Sequence, residues 1–186
     1  MHALRYFFMN MQKRLLPYLK RADELEAREP LASFYCRLYV ADQLLTQRSP
    51  ESDAALMAVL DDAERLKPGL GPGLSTEGPQ AFEQFSREIF DAAVEAESAG
   101  LDAVALATKY YFSSLFFDVM TQFGPLSTEL EEKRSYARSR VMQLRRGGVV
   151  RWAEVRARLQ AAAQGADAED AGRVREALRS ALDLLG

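Results

Sequence analysis

The chain has 186 residues but only one cysteine and one histidine. A lone cysteine excludes an intramolecular disulfide framework, and the two residues together exclude a Cys/His zinc cluster. Cys–His catalysis is left with a single pairing, His2 with Cys36. An excess of one charge is also missing: 24 Lys+Arg face 27 Asp+Glu, for a net charge of −3. That balance excludes a general nucleic-acid binder, which carries a strongly basic face. Long apolar runs are absent too. The nearest, Ala103–Phe123, is interrupted by Lys109 and Asp118, so no run of about 18 uncharged apolar residues exists to span a membrane. The apolar patch Tyr6–Met9 is too short for a signal-peptide core. These absences predict a soluble, cytoplasmic protein of a reducing compartment. They also predict no metal, no cofactor and no catalytic residues.

What is present is apolar and helical. Hydrophobic residues make up 48% of the chain, enough for a real core, and the length fits one domain or two small ones. Residues 67–79, KPGLGPGLSTEGP, hold four of the eleven glycines and three of the seven prolines. That density of breakers predicts a linker rather than an element. The GLGPGL run within it lacks a preceding strand and a following Gly-Lys-Ser/Thr, so it is not a phosphate loop. Elsewhere the apolar period is that of a helix. Leu31, Phe34, Leu38, Ala41 and Leu45 form one stripe, Leu56, Val59, Leu60, Ala63 and Leu66 a second, and Phe82, Phe85, Ile89, Ala92, Ala93 and Ala96 a third. Ala103–Phe123 is apolar nearly all round, as in a helix buried within a bundle. Ser49-Pro50-Glu51 and the Thr128–Glu131 spacing read as helix starts. No alternating strand pattern appears. The fold class is therefore all-α. Helices are predicted over about 15–27, 30–47 and 51–67, then 79–98, 101–123 and 128–146. Two short ones, about 151–163 and 168–185, follow Gly147-Gly148. Three helices of this length joined by tight turns make one small bundle. The predicted organisation is a bundle over 1–67, a Gly/Pro linker over 68–78, a second bundle over 79–147 and a C-terminal helical element over 151–186.

Charge is unevenly placed. Residues 77–102 hold seven acids and one arginine, whereas 133–158 hold nine Lys/Arg and one glutamate. Mutual pairing and solvated faces account for this arrangement. So does a basic border, Arg138, Arg140, Arg145 and Arg146, beside a groove for an acidic peptide or a membrane surface. Cys36 lies on the apolar face of its helix and reads as a buried structural thiol. Trp152, which follows the glycine pair, reads as a packing anchor for the tail.

Two blocks carry a family resemblance. Residues 18–39, YLKRADELEAREPLASFYCRLY, contain Arg28-Glu29-Pro30 followed by the Tyr35–Tyr39 run. They resemble the first MIT (microtubule-interacting and transport) repeat of the VTA-one family, cofactors of the AAA ATPase that disassembles ESCRT-III. Residues 109–138, KYYFSSLFFDVMTQFGPLSTELEEKRSYAR, are similar to that family's second MIT repeat, with Phe112, Asp118, Val119, Phe123-Gly124 and Tyr136-Ala137-Arg138 in matching order. With flanking helices the resemblance covers roughly residues 10–147. Residues 166–186 are similar to the second helix of the family's terminal pair. The family usually has a long flexible linker before that pair. Here only Gly147-Gly148-Val149-Val150 stands there, so the tail either moves on its own or packs back on the bundle.

The resemblance implies two tandem three-helix MIT-like bundles followed by a short C-terminal helical pair. It implies a non-enzymatic adaptor of multivesicular body sorting, peripherally recruited to endosomes. The implied partners are C-terminal helices of ESCRT-III subunits, bound in bundle grooves, and the AAA ATPase, which is stimulated. Helix-in-groove binding of this kind is individually weak and strengthened by avidity. The second bundle is the expected ligand site, with apolar surface from Phe116, Met120 and Phe123 and charge from Arg138 and Arg145, seven residues apart on one side. Leu178, Leu182 and Leu185 are expected to contact the ATPase or a second copy in a homodimer. The alternative is a non-enzymatic helical scaffold that binds ESCRT-III or membrane surfaces without ATPase activation.

Overall fold

A computed structural model describes the backbone of residues 2–46 and 50–164 and the side chains of 13–46 and 52–147. Within them the chain forms helices and no strand: α1 (His2–Leu25), α2 (Pro30–Thr46), α3 (Pro50–Leu66), α4 (Gly78–Ser98), α5 (Ala103–Met120) and α6 (Thr128–Gln164). The all-α class follows from the periodicity already noted. α2 packs between α1 and α3, and α5 packs between α4 and α6. Two three-helix groups result. A core cluster containing Phe34, Tyr35, Cys36, Phe82, Phe116 and Phe117 draws on both groups. A second, smaller cluster of Leu15, Val40, Ala41, Leu44, Leu56 and Val59 belongs to the first group alone.

Helix ends show which local signals act. Asp102 caps α5, its carboxylate accepting from the Val104 and Ala105 N–H groups at 3.0 Å, which satisfies free donors of the first turn. At the start of α6 the cap is Ser127, whose hydroxyl accepts from the Leu130 N–H at 3.3 Å, one residue before the expected Thr128 box. α4 ends at Gly100, with φ 77° and Leu101 N–H bonded to the Ala96 carbonyl at 3.0 Å. That left-handed residue is what glycine permits at a helix end. Ser49 lies outside the described residues.

Three expectations are corrected. α1 begins at His2 rather than near residue 15, and Pro17 lies inside it. Proline removes one helical hydrogen bond, but Leu15 is buried on one side of it and Tyr18 packs on the other, and packing sustains a helix that propensity would end. The Gly/Pro segment is not a bare tether. It forms two 3₁₀ turns, Lys67–Leu70 and Pro72–Ser75, and Leu70 and Leu74 pack on the core. The break expected at Gly147-Gly148 is absent, because α6 runs unbroken to Gln164. Gly147 is not among the glycines of positive φ, and a glycine weakens a helix interior by only about 1 kcal/mol relative to alanine. Trp152 and residues 165–186 lie outside the described side chains.

Candidate functional site

An open apolar groove lies in the first helical group. It has a volume of about 430 Å³ and is lined by Leu15, Leu16 and Leu19 of α1, Val40 and Leu44 of α2, and Ala55 and Val59 of α3, with Lys13 at its edge. The floor is fixed by sequence: Val40 and Leu44 flank the apolar stripe of α2 and are almost fully buried. Leu16 is different. It is 61% exposed, whereas Leu15 is buried and Leu19 and Leu25 are partly so. No catalytic chemistry is available there, since the lining is hydrocarbon apart from one ammonium. The groove has the shape and surface for the apolar face of a helix.

Polar interactions brace the groove from outside. Arg37 is 3% exposed, and its guanidinium donates to Asp23 at 2.9 Å, to Glu26 at 2.8 Å and to Ser33. Glu26 also takes Arg65 of α3 at 2.6 Å. The Arg65 hydrogen bond, aided by both arginine charges, holds the Glu26 carboxyl below the usual carboxylate range. One acid thus ties the α1–α2 turn to α3. The YCRLY run is accounted for by this brace, because Tyr35, Cys36 and Arg37 all point inward. Burial pushes the Cys36 thiol up to about 12; a thiol so held is not a thiolate nucleophile at neutral pH.

The sequence-predicted ligand residues fall in different places. Phe116 is 2% exposed and meets Phe82 and Phe85 edge-on at 6.1 and 5.1 Å. It is core, because α5 is enclosed by α4, α6 and the first group, and so it offers no surface to a ligand. Met120 is also buried, while Phe123 is 39% exposed and packs on Tyr35 at 4.8 Å. Met120 and Phe123 meet in a mixed cleft of about 660 Å³ beside Pro79, Pro125 and Leu126, rimmed by Glu83, Arg87 and Glu129. Arg138 reaches inward to Asp118. Arg145 lies over the Tyr111 ring, 5.5 Å from its centroid. The two arginines are therefore not brought together with the aromatic residues. Leu178, Leu182 and Leu185 lie outside the described residues.

The acidic helix pairs with part of the basic one. Arg140 bonds Glu97 at 2.6 Å, Lys133 bonds Asp91 at 3.2 Å, and Arg87 bridges Glu129 at 2.5 Å. The Arg140 and Tyr110 hydrogen bonds hold Glu97 below its ordinary value. Of the two accounts of the charge asymmetry, mutual pairing is the one seen for these residues. The groove of the first group was missed by sequence reasoning. The signal was present in Leu15-Leu16 and Leu19, an apolar patch wider than one stripe, and it straddles Pro17, close to where a helix start was expected.

Comparison with known proteins places this geometry. A family model described as Vta1 like matches residues 14–148. The chain belongs to the Vta1-like family. Among its relatives, the Arabidopsis thaliana protein named homolog of mammalian LYST-interacting protein 5 is 34% identical over 138 residues, which are 72% of this chain and 32% of that protein. The bovine vacuolar protein sorting-associated protein VTA1 homolog is 31% identical over 132 residues, 68% of this chain and 43% of its own length. The Dictyostelium discoideum homolog of the same name is 30% identical, over 67% of this chain and 24% of its length. The aligned stretch thus spans less than half of each of these relatives. The matched region contains the groove residues from Leu15 to Val59 and at least part of each of the six helices. Among the described residues no helix is long and apolar enough to cross a membrane, and no group of three or more His, Cys, Asp or Glu is placed to hold a metal ion.

Proposed function

We propose that this Vta1-like chain is a non-enzymatic adaptor of vacuolar protein sorting. It captures C-terminal helices of ESCRT-III subunits and stimulates the AAA ATPase that dismantles them at endosomes. The observation that carries this reading is the open groove between α1 and α3, floored by Val40 and Leu44. Leucines spaced i, i+3/i+4 and i+7 on a ligand helix would replace water over that floor. The groove is short, so one contact gives about micromolar affinity, and an ESCRT-III polymer supplies the rest through avidity. A second contact is proposed at the cleft of Met120 and Phe123. The tail residues Leu178, Leu182 and Leu185 are proposed to meet the ATPase or a second copy.

The test is fluorescence anisotropy of the full chain against a panel of labelled ESCRT-III C-terminal helix peptides. Leu16→Asp places a carboxylate on the groove without touching the core, and is expected to weaken the best peptide at least tenfold. Equal binding by Leu16→Asp and the unmodified chain sinks the groove assignment. An ATPase assay with the cognate enzyme, with and without residues 151–186, decides between adaptor and passive scaffold.

A further inference from the structure

The groove wall α1 is held from the other helical group. Tyr18 lies between Leu15 and Leu19 on α1 and packs against both core clusters. Its ring meets Tyr39 at 4.8 Å, and its hydroxyl donates to Asp118 Oδ2 at 3.0 Å. Asp118 belongs to α5, is nearly buried, and lines no part of the groove. Its other oxygen accepts from Arg134 at 3.4 Å and from Arg138. Asp118 is thus a carboxylate paired with two arginines, and a charged acceptor makes the tyrosine bond stronger than a neutral one. Burial and the Asp118 charge both push the Tyr18 hydroxyl far above its ordinary value, so it stays a donor throughout the ordinary pH range.

We infer that Asp118 is a positioning residue for the groove: through Tyr18 it fixes where α1 sits, and with it the gap between α1 and α3. The inference rests on the groove being the helix-binding site. Two other polar ties of this wall, Asp23 to Arg37 and Glu26 to Arg65, lie at and just past the C-terminal end of α1. Leu15, Leu16 and Leu19 lie about two to three turns earlier on the same helix. Near them Tyr18–Asp118 is the hydrogen bond from α1 to α5, about one turn before Arg21, which stacks on Phe112 of α5 at 3.2 Å. The Tyr39 contact holds the ring against α2 and does not tie α1 to α5. Without the bond, α1 samples several positions, and only a fraction of molecules present the open groove. Apparent affinity falls by that fraction.

Tyr18→Phe keeps the ring and removes the donor, and Asp118→Asn keeps the shape and removes the charge. Each is measured in the full chain against the tightest ESCRT-III helix peptide, at a temperature where circular dichroism shows it folded. Each is expected to weaken binding about five- to tenfold, and the double variant no more than the worse single one. Arg140→Gln, which breaks the Glu97 ion pair inside the second helical group and away from the groove, is expected to lower the melting temperature with affinity unchanged. Wild-type affinity in a folded Tyr18→Phe protein overturns the inference, and so do strictly additive effects. Should Asp118→Asn not fold, Tyr18→Phe decides alone. If the unmodified chain binds no peptide, the functional reading fails, and amide hydrogen exchange over residues 13–19 still tests the seat of α1. Faster exchange in Tyr18→Phe is expected, and unchanged protection overturns the inference.

Discussion

Gly78→Ala probes the wedge where the Gly/Pro segment meets both helical groups. Gly78 is buried at the first position of α4. A Cβ built there would lie 2.2 Å from the Tyr35 hydroxyl oxygen, 3.2 Å from Tyr35 Cζ and 3.4 Å from Leu74 Cδ1. Tyr35 is not free to yield. Its hydroxyl donates to the Leu74 carbonyl at 3.0 Å, and its ring is wedged between Phe82 at 5.4 Å and Phe123 at 4.8 Å. The hydroxyl must move, so its hydrogen bond is lost, worth about 1 kcal/mol. Overpacking of a filled core adds about 1–3 kcal/mol. Alanine's helix preference recovers less than about 1 kcal/mol, because this is a helix end rather than an interior. The net destabilisation is about 2–3 kcal/mol. For a chain of this length the melting temperature falls about 2–4 °C per kcal/mol. Differential scanning calorimetry measures it. Tyr35→Phe supplies the decisive comparison, since it removes the atom in conflict. The double variant Gly78→Ala/Tyr35→Phe is expected to be more stable than Gly78→Ala alone, although Tyr35→Phe by itself destabilises. An unshifted melting temperature in Gly78→Ala, or a double variant at the additive value, refutes the wedge.

Other perturbations follow from the same contacts. Arg37→Met keeps volume but strips Ser33, Asp23 and Glu26 of their shared donor. Since Asp23 and Glu26 reach water, the loss is about 2 kcal/mol rather than that of a fully buried pair, read as a lower urea midpoint at unchanged m value. Glu26, Glu97 and Glu129 have folded values depressed by their arginine partners. Their contribution is therefore complete above the ordinary value of 4.5 and is lost as pH falls through the lower folded values. Thermal melts are expected to be flat from neutrality to about pH 5 and to fall steeply in acid, and a melting temperature that holds in strong acid contradicts this. Phe82→Ala removes a ring with four aromatic neighbours and should cost about 3–5 kcal/mol. It should weaken both helical groups together, which shows as one broadened but undivided calorimetric transition.

The helices were legible because their apolar stripes bury against something, and burial selects period. Ala41, Leu56, Val59 and Phe82 announce their buried faces by spacing alone. α5 was legible for the opposite reason: it has no polar face wide enough to meet solvent. What could not be read is partnership at long range. Asp118 and Gln122 interrupt the apolar segment 103–123 with no sign of a partner, yet Asp118 takes Tyr18, 100 residues away, and Gln122 donates to the Tyr35 carbonyl at 3.1 Å. Nothing in a one-dimensional pattern distinguishes a polar strip facing water from one facing another bundle. The same blindness assigned Phe116 to a ligand. Gly147-Gly148 misled in a different way, because glycine lowers helix stability without forbidding a helix, and no positive φ is needed at Gly147. Resemblance named the family, and apolar excess beside a basic helix led toward the second bundle.

The distribution of charge then explains why the first group presents the groove and the second braces it. On α6, Lys133, Arg134, Arg138 and Arg140 are each bonded to acids of α4, α5 or α6 itself. A ligand carboxylate would have to displace those partners, with no net gain in charge pairing. On α1, Lys13, Arg14 and Lys20 have no ion pair among the described residues, and Lys13 borders the groove. Cations without internal partners are the ones that attract an approaching acidic helix and set its register. The wall that carries them is also the wall whose seat is set by Asp118. Of the arginines that look like a ligand surface in the sequence, Arg138 acts one step removed: it pairs with Asp118, Asp118 bonds Tyr18, and Tyr18 sits between the leucines that a ligand helix would meet.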